Sequence, residues 1–204
     1  MLDLVEGGSS WAEVVQLARA LDDATIDVIN TGIGWHEARV PTIATSVPRG
    51  AYAWVTRKLR AAAFEGGAGV RGDVALCATN RINAPEVAER ILAGGDADLV
   101  SMARPFLADP YLLSKAQAGT PERINTCIAC NQACLDHTFA KRRASCPVNP
   151  RTGYEAELTV GPTPARLRVG AGGAGPAGLA CSTVAARRGH SVTLFDSASA
   201  IGGQ

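Results

Sequence analysis

Four of the six cysteines in this chain lie between positions 127 and 146, and their spacing is the strongest chemical signal in it. Cys127, Cys130, Cys134 and Cys146 read C-x2-C-x3-C-x11-C, with Pro147 directly after the last. Four thiolates so close in sequence can hold one tetrahedral metal ion or one cubane iron–sulfur cluster. Structural zinc sites usually offer two tight pairs, one on each side of a longer loop, because each pair forms one knuckle. A tight triplet with one distant cysteine followed by proline is closer to iron–sulfur ligation. Cys77 and Cys181 have no partner spacing and read as small apolar side chains.

A glycine-rich run, Gly170-Ala171-Gly172-Gly173-Ala174-Gly175-Pro176-Ala177-Gly178, fits G-x-G-x-x-G from Gly170 or from Gly173. The register Gly173, Gly175, Gly178 puts the third glycine at the start of a helix, where close packing on a strand excludes a side chain. The helix N-terminus is then aimed at a pyrophosphate. Asp196 ends the next apolar run and is placed for a ribose hydroxyl, which favours FAD or NAD over NADP at this turn.

Three more residues sit where βα proteins keep their chemistry, after the C-terminal ends of strands. His36 lies in the loop Asn30 to Arg39 and reads either as a proton or hydrogen-bond donor to a carbonyl oxygen or as a structural loop residue bonded to backbone. Arg81 and Arg104 follow successive strands, with Ala103 and Pro105 flanking the latter. They suit a flavin phosphate or carbonyl, the other reading being an ordinary surface pair. His137 and His190 carry no such placement.

The elements that must position these residues alternate in type. Ser10-Trp11-Ala12-Glu13 is a capping box, followed by apolar residues at helical spacing to Leu21. A strand is expected at Ile26–Ile29, a helix from about Tyr52 to Ala63, and a strand at Val74–Ala78. A helix with Pro85 in its first turn stops at Gly94-Gly95, a strand covers Leu99–Met102, and a further helix follows Asp109-Pro110. Short connections between alternating helices and strands predict parallel βα units. After the cysteine segment, a proline-bearing stretch reads as linker, and from Arg166 a strand, glycine turn, helix and strand form one βαβ unit. The expected organisation is residues 1–123 as partial barrel, 124–150 as cysteine segment, 151–165 as linker and 166–204 as the start of a dinucleotide-binding domain.

Composition bounds the partners. The 204 residues carry 20 Lys+Arg against 19 Asp+Glu, which gives no basic surface for nucleic acid. No apolar run approaches the ~20 residues needed to cross a bilayer, and the N-terminus has no signal-peptide pattern, so a cytoplasmic protein is expected. A complete (β/α)8 barrel takes about 250 residues, so the chain has room for only part of one.

Taken together, the blocks Ile29–Arg39, Pro41–Ala44, Pro48–Gly50, Trp54–Leu59, Thr79–Asn83, Ser101–Ala108 and Cys127–Cys134 resemble the bacterial NADPH-dependent 2,4-dienoyl-CoA reductases. These are iron–sulfur flavoenzymes of the old yellow enzyme group. The resemblance covers nearly the whole chain. It implies the C-terminal part of a TIM barrel binding FMN, a [4Fe–4S] cluster on Cys127, Cys130, Cys134 and Cys146, and the first βαβ of a Rossmann-like module for FAD, with NADPH as electron donor. It further implies an acyl-CoA substrate of unsaturated fatty acid β-oxidation and a protonation role for His36. Arg81, Ala103, Arg104 and Pro105 would contact FMN, while Gly173, Gly175, Gly178 and Asp196 would hold FAD, with Gly202 and Gly203 near its pyrophosphate. By the same resemblance the chain is an internal fragment that lacks flanking parts of its polypeptide and the family's upstream tyrosine proton donor, and is inactive alone. A 2-enoate reductase, or another NADH:flavin oxidoreductase of the group, remains the alternative, and a zinc-stabilised binding module the non-enzymatic one.

Overall fold

A computed structural model describes residues 4–34, 38–65 and 73–202. These form two compact units, 1–153 and 154–204, dividing within the segment read as linker.

In the first unit three strands, β1 (Val28–Thr31), β2 (Ala75–Ala78) and β3 (Leu99–Val100), form a parallel sheet in the order β1-β2-β3. Parallel neighbours need a crossover, and helices supply it. Helix α1 (Trp11–Asp23) precedes β1, α2 (Ala53–Leu59) lies between β1 and β2, and α3 (Pro85–Ala93) lies between β2 and β3. At the start of α1 the capping box is complete: the Ser10 hydroxyl accepts from the Glu13 amide, and the Glu13 carboxylate accepts from the Ser10 amide at 2.7 Å. Helix α2 runs on into one π-helical turn, Arg60–Phe64. Arg19 of α1 donates to the carbonyls of Ala62, at 2.9 Å, and Ala63, which supplies partners that a helix end lacks.

Strand β2 is central and the most deeply buried, with Leu76 fully enclosed. Leu76 packs with Leu59, Ala63, Phe64 and Ala18, while Ala78 packs with Ile82, Val87 and Ile91 of the α3 side. Two hydroxyls are drawn into this core. Thr31 Oγ1 donates to the Cys77 carbonyl at 3.0 Å and pairs with Thr56 Oγ1 at 3.0 Å, so neither buried hydroxyl is left unmet.

The structure departs from the sequence expectation at several points, among them β3, which ends at Val100 rather than Met102. β1 begins two residues later than expected: the Ile26 amide still donates to the Leu21 carbonyl of α1 at 3.4 Å, and the ladder with β2 runs from Val28 to Thr31. A short helix, α4 (Arg104–Ala108), precedes the expected one, α5 (Leu112–Gln117). The cysteine segment contains its own turn of helix, α6 (Leu135–Phe139).

The second unit holds β4 (Arg168–Gly172), α7 (Pro176–Arg187) and β5 (Ser191–Phe195), with β4 and β5 parallel from Arg168 opposite Ser191 to Gly172 opposite Phe195. Among the described residues no helix is long and apolar enough to cross a membrane.

Candidate functional site

At the C-terminal ends of β2 and β3 lies a pocket of about 130 Å³ whose wall includes Asn80, Arg81, Asn83, Ala103, Arg104 and Pro105. The segment after β2 enters it through two consecutive left-handed residues, Asn80 (φ 73°) and Arg81 (φ 56°). Such a conformation is uncommon away from glycine and persists only where surroundings over-determine it. Here they do. Asn80 Nδ2 donates to the Ile33 carbonyl at 2.9 Å, Arg81 Nε donates to the Val47 carbonyl at 2.8 Å, and the Gly50 amide donates to the Arg81 carbonyl at 3.0 Å. The fixed Nε leaves the terminal nitrogens of a buried guanidinium for the pocket.

Burial makes Arg81 less basic, and repulsion from Arg104 and Arg49 adds to this, with the charge of Cys127 opposing it. With Arg104 on the same pocket wall, an anion bound there would relieve the repulsion and the desolvation that Arg81 carries. Asn83 adds a second unmet demand. Its Nδ2 donates to the Cys127 carbonyl at 2.7 Å, but its Oδ1, on a side chain 3% exposed, has no partner.

The four cysteines Cys127, Cys130, Cys134 and Cys146 line one small pocket, and Arg104 and Cys127 belong to the walls of both pockets. None of the six cysteines is in a disulfide. Burial pushes the Cys146 thiol up; the amides of Val148 and Asn149 pull it down, and charge on Cys127 and Cys130 raises it again. The chain turns sharply on either side of Cys130, with Ala129 at φ 56° and Asn131 at φ 64°. Among the described residues no three His, Cys, Asp or Glu side chains are close enough to chelate a single ion.

In the second unit the glycine turn is built by steric exclusion. A Cβ on Gly178 would stand 1.7 Å from the Gly173 carbonyl oxygen, so any side chain would force the helix off the turn. Gly173 has φ 95° and donates its amide to the Phe195 carbonyl at 2.8 Å. Asp196 accepts from the amides of Ala174 (2.5 Å) and Ala198 (2.7 Å), and these amides hold its carboxyl below the ordinary value. The Gly202 amide donates to the Ala174 carbonyl at 2.9 Å, which folds the Ser197–Gly202 stretch back over the turn. Gly175 is the N-cap of α7.

The structure therefore gathers Arg81, Ala103, Arg104 and Pro105 into one pocket and the four cysteines into its neighbour, with Gly173, Gly175, Gly178, Asp196 and Gly202 around a separate turn. His36 and Gly203 lie outside the described residues. Sequence reasoning missed Asn83 and Asn131. Asn83 stood in a quoted motif without a role, and the only local hint for Asn131 is the readiness of asparagine to adopt positive φ in a tight turn.

Parallel βα units with a cationic pocket at the strand ends define an α/β protein. Residues 1–123 match the NADH:flavin oxidoreductase / NADH oxidase family, and the chain belongs to that family, old yellow enzyme-like oxidoreductases whose flavin domain is a TIM barrel. Residues 172–204 match an NAD(P)-binding Rossmann-like domain. The chain is 42% identical over 202 residues to a metal reductase of Desulforamulus reducens, covering 99% of this chain and 29% of the relative. It is 30% identical over 202 residues to a bilirubin reductase of Mediterraneibacter gnavus, covering 98% and 30%. A solved 2-naphthoyl-CoA reductase in complex with 2-naphthoyl-CoA superposes with a TM-score of 0.87 at 35% identity, over 98% of this chain and 30% of that one. Cinnamate and alkene reductases stand among the more distant relatives. The chain thus spans about three-tenths of the length of the relatives it matches. These names correct the sequence reading toward its broader alternative: the family is shown, and specific reduction of 2,4-dienoyl-CoA is not.

Proposed function

We propose that this chain is the part of an NAD(P)H-dependent flavoenzyme that grips the phosphate side of FMN and holds a [4Fe–4S] cluster beside it. In its second unit it opens a dinucleotide site for FAD, and the enzyme as a whole reduces activated C=C bonds of the enoate type. The observation that carries the reading is the common wall: Arg104 and Cys127 line both the cationic pocket and the four-cysteine pocket. Flavin phosphate fits the mutually repelling Arg81 and Arg104, and the partnerless Asn83 Oδ1 offers an acceptor to a ligand hydroxyl.

The spacing of the four cysteines favours a cluster over zinc. A zinc ion at about 2.3 Å from each thiolate draws the sulfurs to within about 4 Å of one another, whereas a cubane spreads them apart. The tight triplet Cys127, Cys130 and Cys134 with a distant Cys146 directly before Pro147 supports the second arrangement, and all four thiols line one pocket. When bound, FMN would supply hydride chemistry and the cluster single-electron transfer. The chain's own residues do the rest. Arg81 and Arg104 orient the flavin through its phosphate, Asn83 ties the segment after β2 to the Cys127 carbonyl, and His36 is the proposed hydrogen-bond donor to the substrate carbonyl. Gly173, Gly175, Gly178 and Asp196, with Gly202 and Gly203, form the proposed FAD turn. A cytoplasmic setting, where thiolates stay reduced, belongs to the same proposal.

Within this reading the substrate is a free enoate or a CoA thioester; likeness to the naphthoyl-CoA reductase supports a thioester, of which a 2,4-dienoyl-CoA is the narrower case. The test is anaerobic oxidation of NADH and NADPH by the full-length gene product with cinnamate, a 2,4-dienoyl-CoA or ferric citrate as acceptor. Reduction of a conjugated acceptor is expected. Activity on the free acid alone removes the thioester variant, and turnover with ferric iron but with neither conjugated acceptor overturns the proposal in favour of metal reduction.

A further inference from the structure

Among the described residues only Arg104 and Cys127 line both pockets, and Arg104 does more there than face a phosphate. Its Nη1 donates to Asn131 Oδ1, and Asn131 holds the left-handed turn directly after Cys130. The helix that Arg104 begins grips the cysteine segment at both other ends. The Leu107 carbonyl accepts from Asn149 Nδ2 (3.0 Å) and Thr152 Oγ1 (2.5 Å), just past Cys146. Asp109, which caps that helix, accepts from the Asn125 amide at 2.9 Å, just before Cys127. Entry, central turn and exit of the cysteine segment therefore all hang on residues 104–109.

We propose that Arg104 is a positioning residue for the cysteine segment as well as a flavin-side contact: through Asn131 it sets the Cys130–Cys134 turn, and its fixed charge raises the reduction potential of the cluster held there. The inference rests on the cluster reading above. A cluster that gains an electron gains negative charge, and a half-buried cation on its pocket wall stabilises that state through a medium much less screening than water.

The test is potentiometric titration, followed by electron paramagnetic resonance, of the anaerobically purified full-length gene product and its Arg104→Gln, Arg104→Lys and Asn131→Ala variants, with flavin content measured in parallel. Arg104→Gln is expected to lower the cluster potential by about tenfold in the reduction equilibrium, about 59 mV for one electron. Arg104→Lys keeps the charge and should keep most of the potential. Both Arg104→Lys and Asn131→Ala should change the resonance line shape, because the turn after Cys130 is released. If Arg104→Gln folds without its cluster, the other two variants still decide the question. Loss of flavin with potential and line shape unchanged overturns the role for Arg104 while leaving the cluster reading intact. A wild type without iron and sulfide overturns both.

Discussion

Asp109 shows how one side chain can fix a site it never touches. Burial pushes its carboxyl up, but Lys115 Nζ at 2.5 Å and the amides of Asn125 and Tyr111 outweigh that and hold it below the ordinary value. A depressed folded value means that the carboxylate stabilises the fold above the unfolded pKa of about 3.9, and that this is lost as pH falls through the folded value. Asp109→Asn should therefore cost roughly 2 kcal/mol at neutral pH, a figure reduced from that of a fully buried pair because Lys115 is a quarter exposed. The stability gap between wild type and variant, measured by urea unfolding, should narrow as pH is lowered from 5 toward 2. Gly178→Ala tests another kind of constraint, for its new methyl would meet the Gly173 carbonyl at 1.7 Å. It should destabilise the second unit by about 1–3 kcal/mol and lower FAD content, read by thermal unfolding and flavin release. The four cysteines and two arginines were legible because rare side chains at telling intervals carry their own signal. Asp109, Asn83 and Asn131 were not, since their roles depend on which distant backbone groups the fold brings to them.

Among the elements, those with local signals were the most legible. The Ser10 capping box marks the start of α1 to the residue, and Pro85 and Gly94 bracket α3. Ser10→Ala should remove about 1 kcal/mol of stability, visible as a lower Tm. Strand β2 was legible from its apolar run, and Leu76→Ala, emptying a fully buried position among Leu59, Phe64 and Ala18, should cost about 2–5 kcal/mol by denaturant titration. Helix α4 was hidden. Its five residues are too few to show a helical period, and Pro105 reads as a break although proline is tolerated in a first turn. That omission mattered, because α4 joins the cationic pocket to the cysteine segment. The edges of β1 were misplaced for a related reason: hydrogen bonding to β2, not apolar pattern, decides where the ladder runs.

At the scale of the whole molecule, alternation of helix and strand sufficed for the βα architecture, and the change in composition after the cysteines sufficed for a second unit. The choice of substrate was not legible. Residues that grip a phosphate or a cluster serve many acceptors alike, and the named relatives of this family differ in what they reduce. The proposed electron path depends on four thiolates beside a flavin pocket carrying an iron–sulfur cluster. The most direct measurement is iron, acid-labile sulfide and zinc per chain in the anaerobically purified full-length gene product, beside a Cys134→Ser variant. The account predicts equal iron and sulfide with a reducible paramagnetic signal, lost or altered in the variant; one zinc ion per chain with no sulfide would contradict it.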